Sequence, residues 1–375
     1  MKILHIANDF ANSKVHSNLI RHLDEKGIEQ IVYCPIRTKA EYGRNSFFSY
    51  STRIIYSLCI RPWYKFVYHY KRQALYKDLK SQVDLSSIDL IHAATLFSDG
   101  GLAYRAYKEF GIPYVVAVRN TDINVFLPLM KHTYPAGRQI LLNASRIYFI
   151  SEGLKRVFEK SSLVQPIIDQ VGSKFVLRPN GIESYWHSCI SSDSKIGHKV
   201  LYIGDFTPNK NVNRLIMAVD LLRKTTLFSD AELIIVGGGR DRHNSVERMI
   251  AKHSDFVDYK GKIFDKDTLR QVMCQCAVFA MPSIHETFGL VYLESLSQNL
   301  PVVFTKNQGI DGLFDETVGL AVNADSVLDI SNAIRKIFDT PSLFNNRSID
   351  FREFDWINIA DRYCNDYKTI INSNK

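Results

Sequence analysis

Residues 277–294 read Ala277-Val278-Phe279-Ala280-Met281-Pro282-Ser283-Ile284-His285-Glu286-Thr287-Phe288-Gly289-Leu290-Val291-Tyr292-Leu293-Glu294. The first five form an apolar run of the kind buried in a parallel sheet. A polar turn follows, and from 288 to 298 the spacing predicts a helix. Strand, turn and helix in that order are half of a βαβ unit, whose ligands sit at the carboxyl ends of strands. The amides of Phe288, Gly289 and Leu290 would then lack intrahelical partners, and Gly289 permits close approach, which together make a phosphate seat. Glu286 stands just ahead of that seat and Glu294 inside the helix, a separation of roughly 12 Å along a helix axis. One carboxylate can then hydrogen-bond a sugar and the other a ribose. On spacing alone, Glu286 can equally be a first-turn carboxylate favoured by the helix dipole, with Glu294 an exposed helix residue.

The same rhythm extends in both directions. Short Ile/Val-rich runs at 2–7, 30–34, 89–93, 113–118, 147–150 and 174–177 read as buried strands, and the pattern restarts at 199–204, 232–236, 256–259, 277–281 and 301–304. Helical patterns such as 211–223 and 267–275, the latter with Asp267 as its expected N-cap, lie between them. The expected fold class is therefore α/β: two doubly wound, Rossmann-like domains facing across a cleft, at 1–180 and 181–355. The segment 356–375 is expected to be a helix crossing back to pack across both.

Composition agrees with a globular two-domain chain: 375 residues, 46% hydrophobic and 23% charged. The six cysteines lack a C-x-x-C pair, no secretory leader precedes Asn8, and no apolar run reaches the length of a membrane span. These features imply a cytoplasmic protein with reduced thiols. The histidines show no ligand spacing and Asp265-Lys266-Asp267 precedes a helix as a cap would, so no metal is expected. Gly237-Gly238-Gly239 follows a strand and is read as opening a helix, but position 242 is Arg, so the dinucleotide spacing fails.

Glu286 and Glu294 match the E-x7-E motif of the family-four retaining glycosyltransferases, and the stretch resembles that family, whose members have the GT-B fold. Leu201 to Asn211, with Gly204 and Lys210, looks like the family's glycine–lysine turn; 233–239, 258–262 and Pro179-Asn180-Gly181-Ile182 fall where its other landmarks would be. The resemblance implies that Glu286 contacts the donor sugar and Glu294 the ribose. It implies further that Thr287, Phe288, Gly289 and Leu290 hold the diphosphate, that Lys210 offsets the leaving charge, and that the base is read near Lys262-Ile263. No cofactor is implied beyond the nucleotide-sugar co-substrate. Two departures stand out. Asp205 replaces an expected arginine, and Arg119, in Arg119-Asn120-Thr121-Asp122, replaces an expected histidine. Arginine cannot act as a general base, but it can clamp a phosphate or an acidic acceptor, or pair with Asp122. The first turn lacks the family's paired glycines, leaving Asn8, Asn12, Ser13 and Lys14 there. Asn8, Asn12 and Asp122 are expected on the acceptor side of the cleft.

Residues 1–180 carry 25 Lys+Arg against 14 Asp+Glu (25 − 14 = +11), whereas 181–375 carry 22 against 25 (22 − 25 = −3). Seven uncompensated cations and eleven aromatic residues fall in 42–77. Cations interleaved with rings suit an anionic membrane surface, or the segment is a helix packing its rings on the first sheet; nucleic acid is not expected, since its motifs are absent. The reading is a retaining glycosyltransferase acting on a glycan or lipid-linked acceptor in polysaccharide biosynthesis, peripheral at the inner face of the plasma membrane. A non-catalytic protein of the same shape and a sugar-nucleotide epimerase are the alternatives.

Overall fold

The structure, a computed structural model, describes residues 1–374 apart from Ser194, Ile196, Arg240, Arg242 and His243, with the side chains of Lys65 and Phe66 also left aside. The chain forms two compact units: residues 1–150, 154–181 and 354–375 make the first, residues 151–153 and 182–353 the second.

The first unit holds a seven-stranded sheet of order β3-β2-β1-β4-β5-β6-β7. Its strands are β1 Lys2–Ile6, β2 Glu29–Pro35, β3 Thr52–Ser57, β4 Leu90–Ala93, β5 Tyr114–Ala117, β6 Arg146–Phe149 and β7 Phe175–Leu177. All pairings are parallel. Ile3, Leu4, Leu90, Ile91, Val115 and Val116 are wholly buried, which is why these strands read as continuous apolar runs. Strand order reverses between β1 and β4, so the chain opens a crevice at their carboxyl ends.

β3 was not foreseen, because it lies inside the basic, aromatic stretch. Its entry is set by Asp24, at the end of the Lys14–Glu25 helix. The Asp24 carboxylate accepts from the amides of Tyr50 (2.8 Å) and Ser51 (2.9 Å) and from the Thr52 hydroxyl (2.7 Å). The stretch then turns through Pro62–Phe66 into the Tyr68–Gln82 helix. Tyr64, Tyr68 and Tyr76 are buried, whereas Tyr42, Phe48, Tyr50, Trp63 and Tyr70 are exposed. Its rings therefore divide between core and surface.

The last helix, Trp356–Ser373, belongs to the first unit. It shares a buried cluster with Leu19, Leu23, Leu90, Val115 and Tyr148. Asp366, buried on this helix, takes 2.8 Å ion-pair contact from Arg178 at the end of β7, is paired with Arg146, and accepts from the Tyr148 hydroxyl at 2.9 Å.

The second unit holds a six-stranded parallel sheet, β10-β9-β8-β11-β12-β13. The strands are β8 Lys199–Gly204, β9 Glu232–Gly237, β10 Val257–Gly261, β11 Val278–Ala280, β12 Val302–Thr305 and β13 Gly319–Val322. β13 escaped the sequence reading because this edge strand begins on a glycine and its Leu320 and Ala321 are only partly buried, so it lacks a continuous apolar run. The reversal here falls between β8 and β11. Gly237 explains the glycine triplet: its φ is +138°, and a Cβ there would lie 1.8 Å from the Gly204 carbonyl oxygen. Among the described residues the next helix begins only at Ser245, and Gly237 serves strand packing.

Candidate functional site

The turn after β8 and the loop after β11 meet at the reversal point of the second sheet. Asn209 joins them like a peptide group: its Oδ1 accepts from the His285 amide at 2.9 Å and its Nδ2 donates to the His285 carbonyl at 2.8 Å. Buried Asn211 donates to the Pro282 and Ala324 carbonyls at 2.9 and 2.7 Å. On the other side, Gln308 Oε1 accepts from the Glu286 amide at 2.6 Å, and the Gly309 amide donates to the Glu286 carbonyl at 2.9 Å. The backbone of Glu286 is thus fixed from two directions. None of Asn209, Asn211, Gln308 or Gly309 was singled out from sequence as a site residue; each acts through backbone contacts that leave no spacing signal.

This scaffold brings Lys210 and Glu286 together. Lys210 Nζ lies 2.7 Å from Glu286 Oε2, with the two side chains 25% and 12% exposed. Glu286 Oε1 accepts from the Thr287 amide at 3.1 Å and lies 3.5 Å from the Phe288 nitrogen. The carboxylate therefore occupies both the cation and part of the amide seat. The helix starts at Leu290, two residues later than expected, because Gly289 is left-handed at φ +76°. A Cβ on Gly289 would sit 2.6 Å from the Tyr292 ring. Glu286 consequently lies outside the helix, and the helical 12 Å arithmetic does not apply to the pair.

Glu294 is half-buried within the helix, hydrogen-bonded to Trp186. Burial pushes its carboxyl up to about 7; the Glu183 carboxylate adds to this, while Lys266 and Trp186 oppose it. Lys266 is ion-paired with Glu183. The cap before Lys266–Cys274 is Asp265, which accepts from the Thr268 amide at 2.8 Å; Asp267 instead accepts from the Tyr185 hydroxyl at 2.6 Å. Gly204 closes β8, its carbonyl accepting from the Gly238 amide at 3.3 Å, and Ile263 lies half-buried just beyond β10. The Asp205 carbonyl accepts from the Tyr202 hydroxyl at 2.9 Å.

In the first unit, Asn8 stands at the β1/β4 crevice and donates to Asp99 Oδ1 at 2.8 Å. Burial raises the Asp99 carboxyl to about 7 against the hydrogen bonds of Asn8 and Thr95. Asn12 is exposed in the turn before the Lys14–Glu25 helix. Asp122 departs from expectation: it is fully buried, and its oxygens accept from the amides of Leu96 (3.1 Å), Phe97 (3.2 Å) and Arg119 (2.9 Å). It is a loop-fastening carboxylate and cannot face an acceptor. Nor does it pair with the Arg119 side chain, whose Nη1 donates to Asn180 Oδ1 at 3.3 Å. His5, His16 and His92 converge from β1, the first helix and β4 around a void of about 10 Å³. Among the described residues no group of three His, Cys, Asp or Glu is placed to hold a metal.

Residues 14–185 match the family described as Glycosyltransferase Family 4, and residues 197–340 that described as Glycosyl transferases group 1. The chain carries the two domains of a GT-B glycosyltransferase. It is 23% identical over 283 residues to an uncharacterized glycosyltransferase of Methanocaldococcus jannaschii, covering 74% of each chain. It is 22% identical over 364 residues to TuaC of Bacillus subtilis, whose name assigns it to teichuronic acid biosynthesis, covering 90% of this chain and 89% of that one. Sucrose-phosphate synthase from Thermosynechococcus elongatus shares the fold with a TM-score of 0.73 at 18% identity, over 100% of both chains. Anabaena HepE, solved with UDP and glucose, does so at 0.69 and 16%, over 98% of this chain and 100% of its own. No helix among the described residues is long and apolar enough to cross a membrane.

Proposed function

We propose that the protein moves a sugar from a nucleotide-diphosphate donor to a glycan or lipid-linked acceptor, with retention at the anomeric carbon. The observation that carries this reading is the Lys210–Glu286 pair, 2.7 Å apart at the amino end of the Leu290–Ser297 helix. In the unliganded chain the carboxylate balances the ammonium and holds the Thr287 amide. A diphosphate entering the seat takes over the ammonium and the amides from Thr287 to Leu290, and Glu286 turns to the hydroxyls of the donor sugar. As the nucleotide departs, its growing charge meets donors already in place, which is where fixed dipoles lower a barrier most. Glu294 receives the ribose, with Gly204 and the backbone around Ile263 near the base. Asn8, Asn12 and Arg119 serve the acceptor side. Neither a metal nor another cofactor has a step to perform.

The UDP and glucose in the Anabaena neighbour and the polymer named for the Bacillus relative support a sugar-nucleotide donor and a role in polysaccharide assembly. The exposed rings of 42–77, flanked by exposed Arg44, Arg53 and Arg61, suit the anionic inner face of the plasma membrane. The test is a thermal-shift panel of UDP, GDP and ADP and their sugars, because a bound donor stabilises by mass action. One nucleotide should stabilise the wild type, and Lys210→Met should lose most of that shift. Equal shifts in both proteins would refute the phosphate role. Consumption of a nucleotide sugar without acceptor would point to an epimerase instead.

A further inference from the structure

Arg119 carries a charge that no carboxylate meets in direct contact among the described residues. The residue sits at the carboxyl end of β5, half-buried, with its Nε buried and without a hydrogen-bond partner. Its one side-chain bond runs from Nη1 to the neutral Asn180 Oδ1, at 3.3 Å. Among the described residues no carboxylate comes within the 4.0 Å of an ion pair. The carboxylates whose charge reaches it are Asp122 and Asp9. Asp122 is committed to three backbone amides. His16 and His92, which also feel the Arg119 charge, are held neutral chiefly by burial and supply no anion. A guanidinium drawn away from water without a paired carboxylate costs a folded protein stability, and its unsatisfied Nε–H adds to that cost. A fork of N–H groups in that condition fits an oxyanion that arrives from outside.

We propose that Arg119, oriented by Asn180, is a binding residue for an anionic oxygen group of the substrate, a phosphate or a carboxylate. The inference rests on the glycosyl-transfer reading and narrows its substrate class: at least one ligand presents an oxyanion to the first unit. Phosphate and carboxylate share this chemistry, and three sources are separable: the nucleotide diphosphate, an acidic donor sugar, and a phosphorylated lipid acceptor.

The experiment compares the full-length wild type with Arg119→Gln and Arg119→Lys. Titrations use UDP against uridine; UDP-glucuronate against UDP-glucose; and farnesyl phosphate against farnesol. One anion-bearing probe should bind Arg119→Gln about 10- to 100-fold more weakly, as a lost charged hydrogen bond requires. Arg119→Lys should recover part of the loss, and the matching neutral probe should be unaffected. The affected pair names the source. A second readout does not need a ligand: with an unpaired charge removed, unliganded Arg119→Gln should unfold at or above the denaturant midpoint of the wild type. The inference is overturned if every probe binds the wild type and Arg119→Gln alike. It is equally overturned if neutral and anionic probes weaken together while the midpoint falls, which is the behaviour of a structural arginine. A wild type that binds no nucleotide removes the underlying reading, and this inference with it.

Discussion

Replacing Glu286 by Gln should tighten nucleotide binding while suppressing transfer. The pair it breaks is short, 2.7 Å, and shielded, with Lys210 25% and Glu286 12% exposed. A charge-assisted hydrogen bond is worth a net ~1.5–3 kcal/mol. Because a quarter of the lysine side chain still meets water, solvent screening reduces this to about 1–2 kcal/mol. An incoming diphosphate must displace this interaction. Glutamine keeps the shape and can still accept from the Thr287 amide, but it no longer neutralises the ammonium. The nucleoside diphosphate should therefore bind about 5- to 30-fold more tightly. Transfer should drop by about two orders of magnitude or more, the usual cost of a lost transition-state contact. Lys210→Met should weaken binding, and adding Glu286→Gln to it should restore nothing, because the gain depends on the lysine. Calorimetric titration of the wild type and the three variants with the active nucleotide, beside initial transfer rates, measures all of this. If Glu286→Gln binds the diphosphate no more tightly than the wild type, the carboxylate is not competing for the cation and the reasoning fails.

Gly289→Ala places a side chain at φ +76° and 2.6 Å from the Tyr292 ring; a loss of about 1–3 kcal/mol should appear as a lower melting temperature and weaker nucleotide binding, and wild-type melting would contradict it. The Asp24 carboxyl is pushed up by burial, but the hydrogen bonds of Tyr50, Thr52, Ser51 and Ser49 outweigh this and hold it at about 2, below the ordinary 3.8. A depressed carboxylate stabilises above the unfolded value and ceases to do so as pH falls through the folded one. The stability cost of Asp24→Asn, about 2 kcal/mol in urea titrations near pH 6, should therefore shrink towards pH 2, and a constant cost would refute the assignment. His16 is lowered to about 3 by burial, with Arg119 and His5 adding to it. The unfolded state takes up its proton first, so between pH 7 and 5 this residue should remove about 2 kcal/mol of stability. His16→Gln should lack that share of the slope, and parallel slopes would be decisive against it. Changing Arg44, Arg53 and Arg61 together to Ser should weaken binding to phosphatidylserine vesicles about 100-fold, at ~1 kcal/mol per cation, without affecting neutral vesicles; unchanged partitioning would leave the exposed rings as ordinary surface.

Runs such as Tyr114-Val115-Val116 and Val200-Leu201-Tyr202 disclosed the two parallel sheets, because strands buried on two faces leave an uninterrupted apolar signal. β3 escaped because its register depends on Asp24, 28 residues before Thr52, and tertiary hydrogen bonds carry no local pattern. At the site, the residue types of Lys210, Glu286, Gly289 and Glu294 were readable. Their arrangement was not. The left-handed Gly289 moved Glu286 off the helix, and the Lys210–Glu286 pairing depends on Asn209 and Gln308, whose partners are backbone atoms. Asp122 misled for the same reason: a carboxylate after a strand looks alike whether it meets a ligand or three amides. The buried histidines come from three elements, so no spacing could reveal them.

The placement of the Trp356–Ser373 helix sets an order of assembly. Half of the buried cluster shared by this helix, from Trp356 to Ile371, follows the second unit in the chain. The second unit, apart from residues 151–153, is one continuous stretch, 182–353. On the ribosome, the sheet that emerges first must wait with Leu19, Leu90 and Val115 uncovered until all of 182–353 has followed it, while the sheet that emerges second has its sequence in one piece. The first unit is thus completed after the second, and a chain cut short before Trp356 would leave that core open.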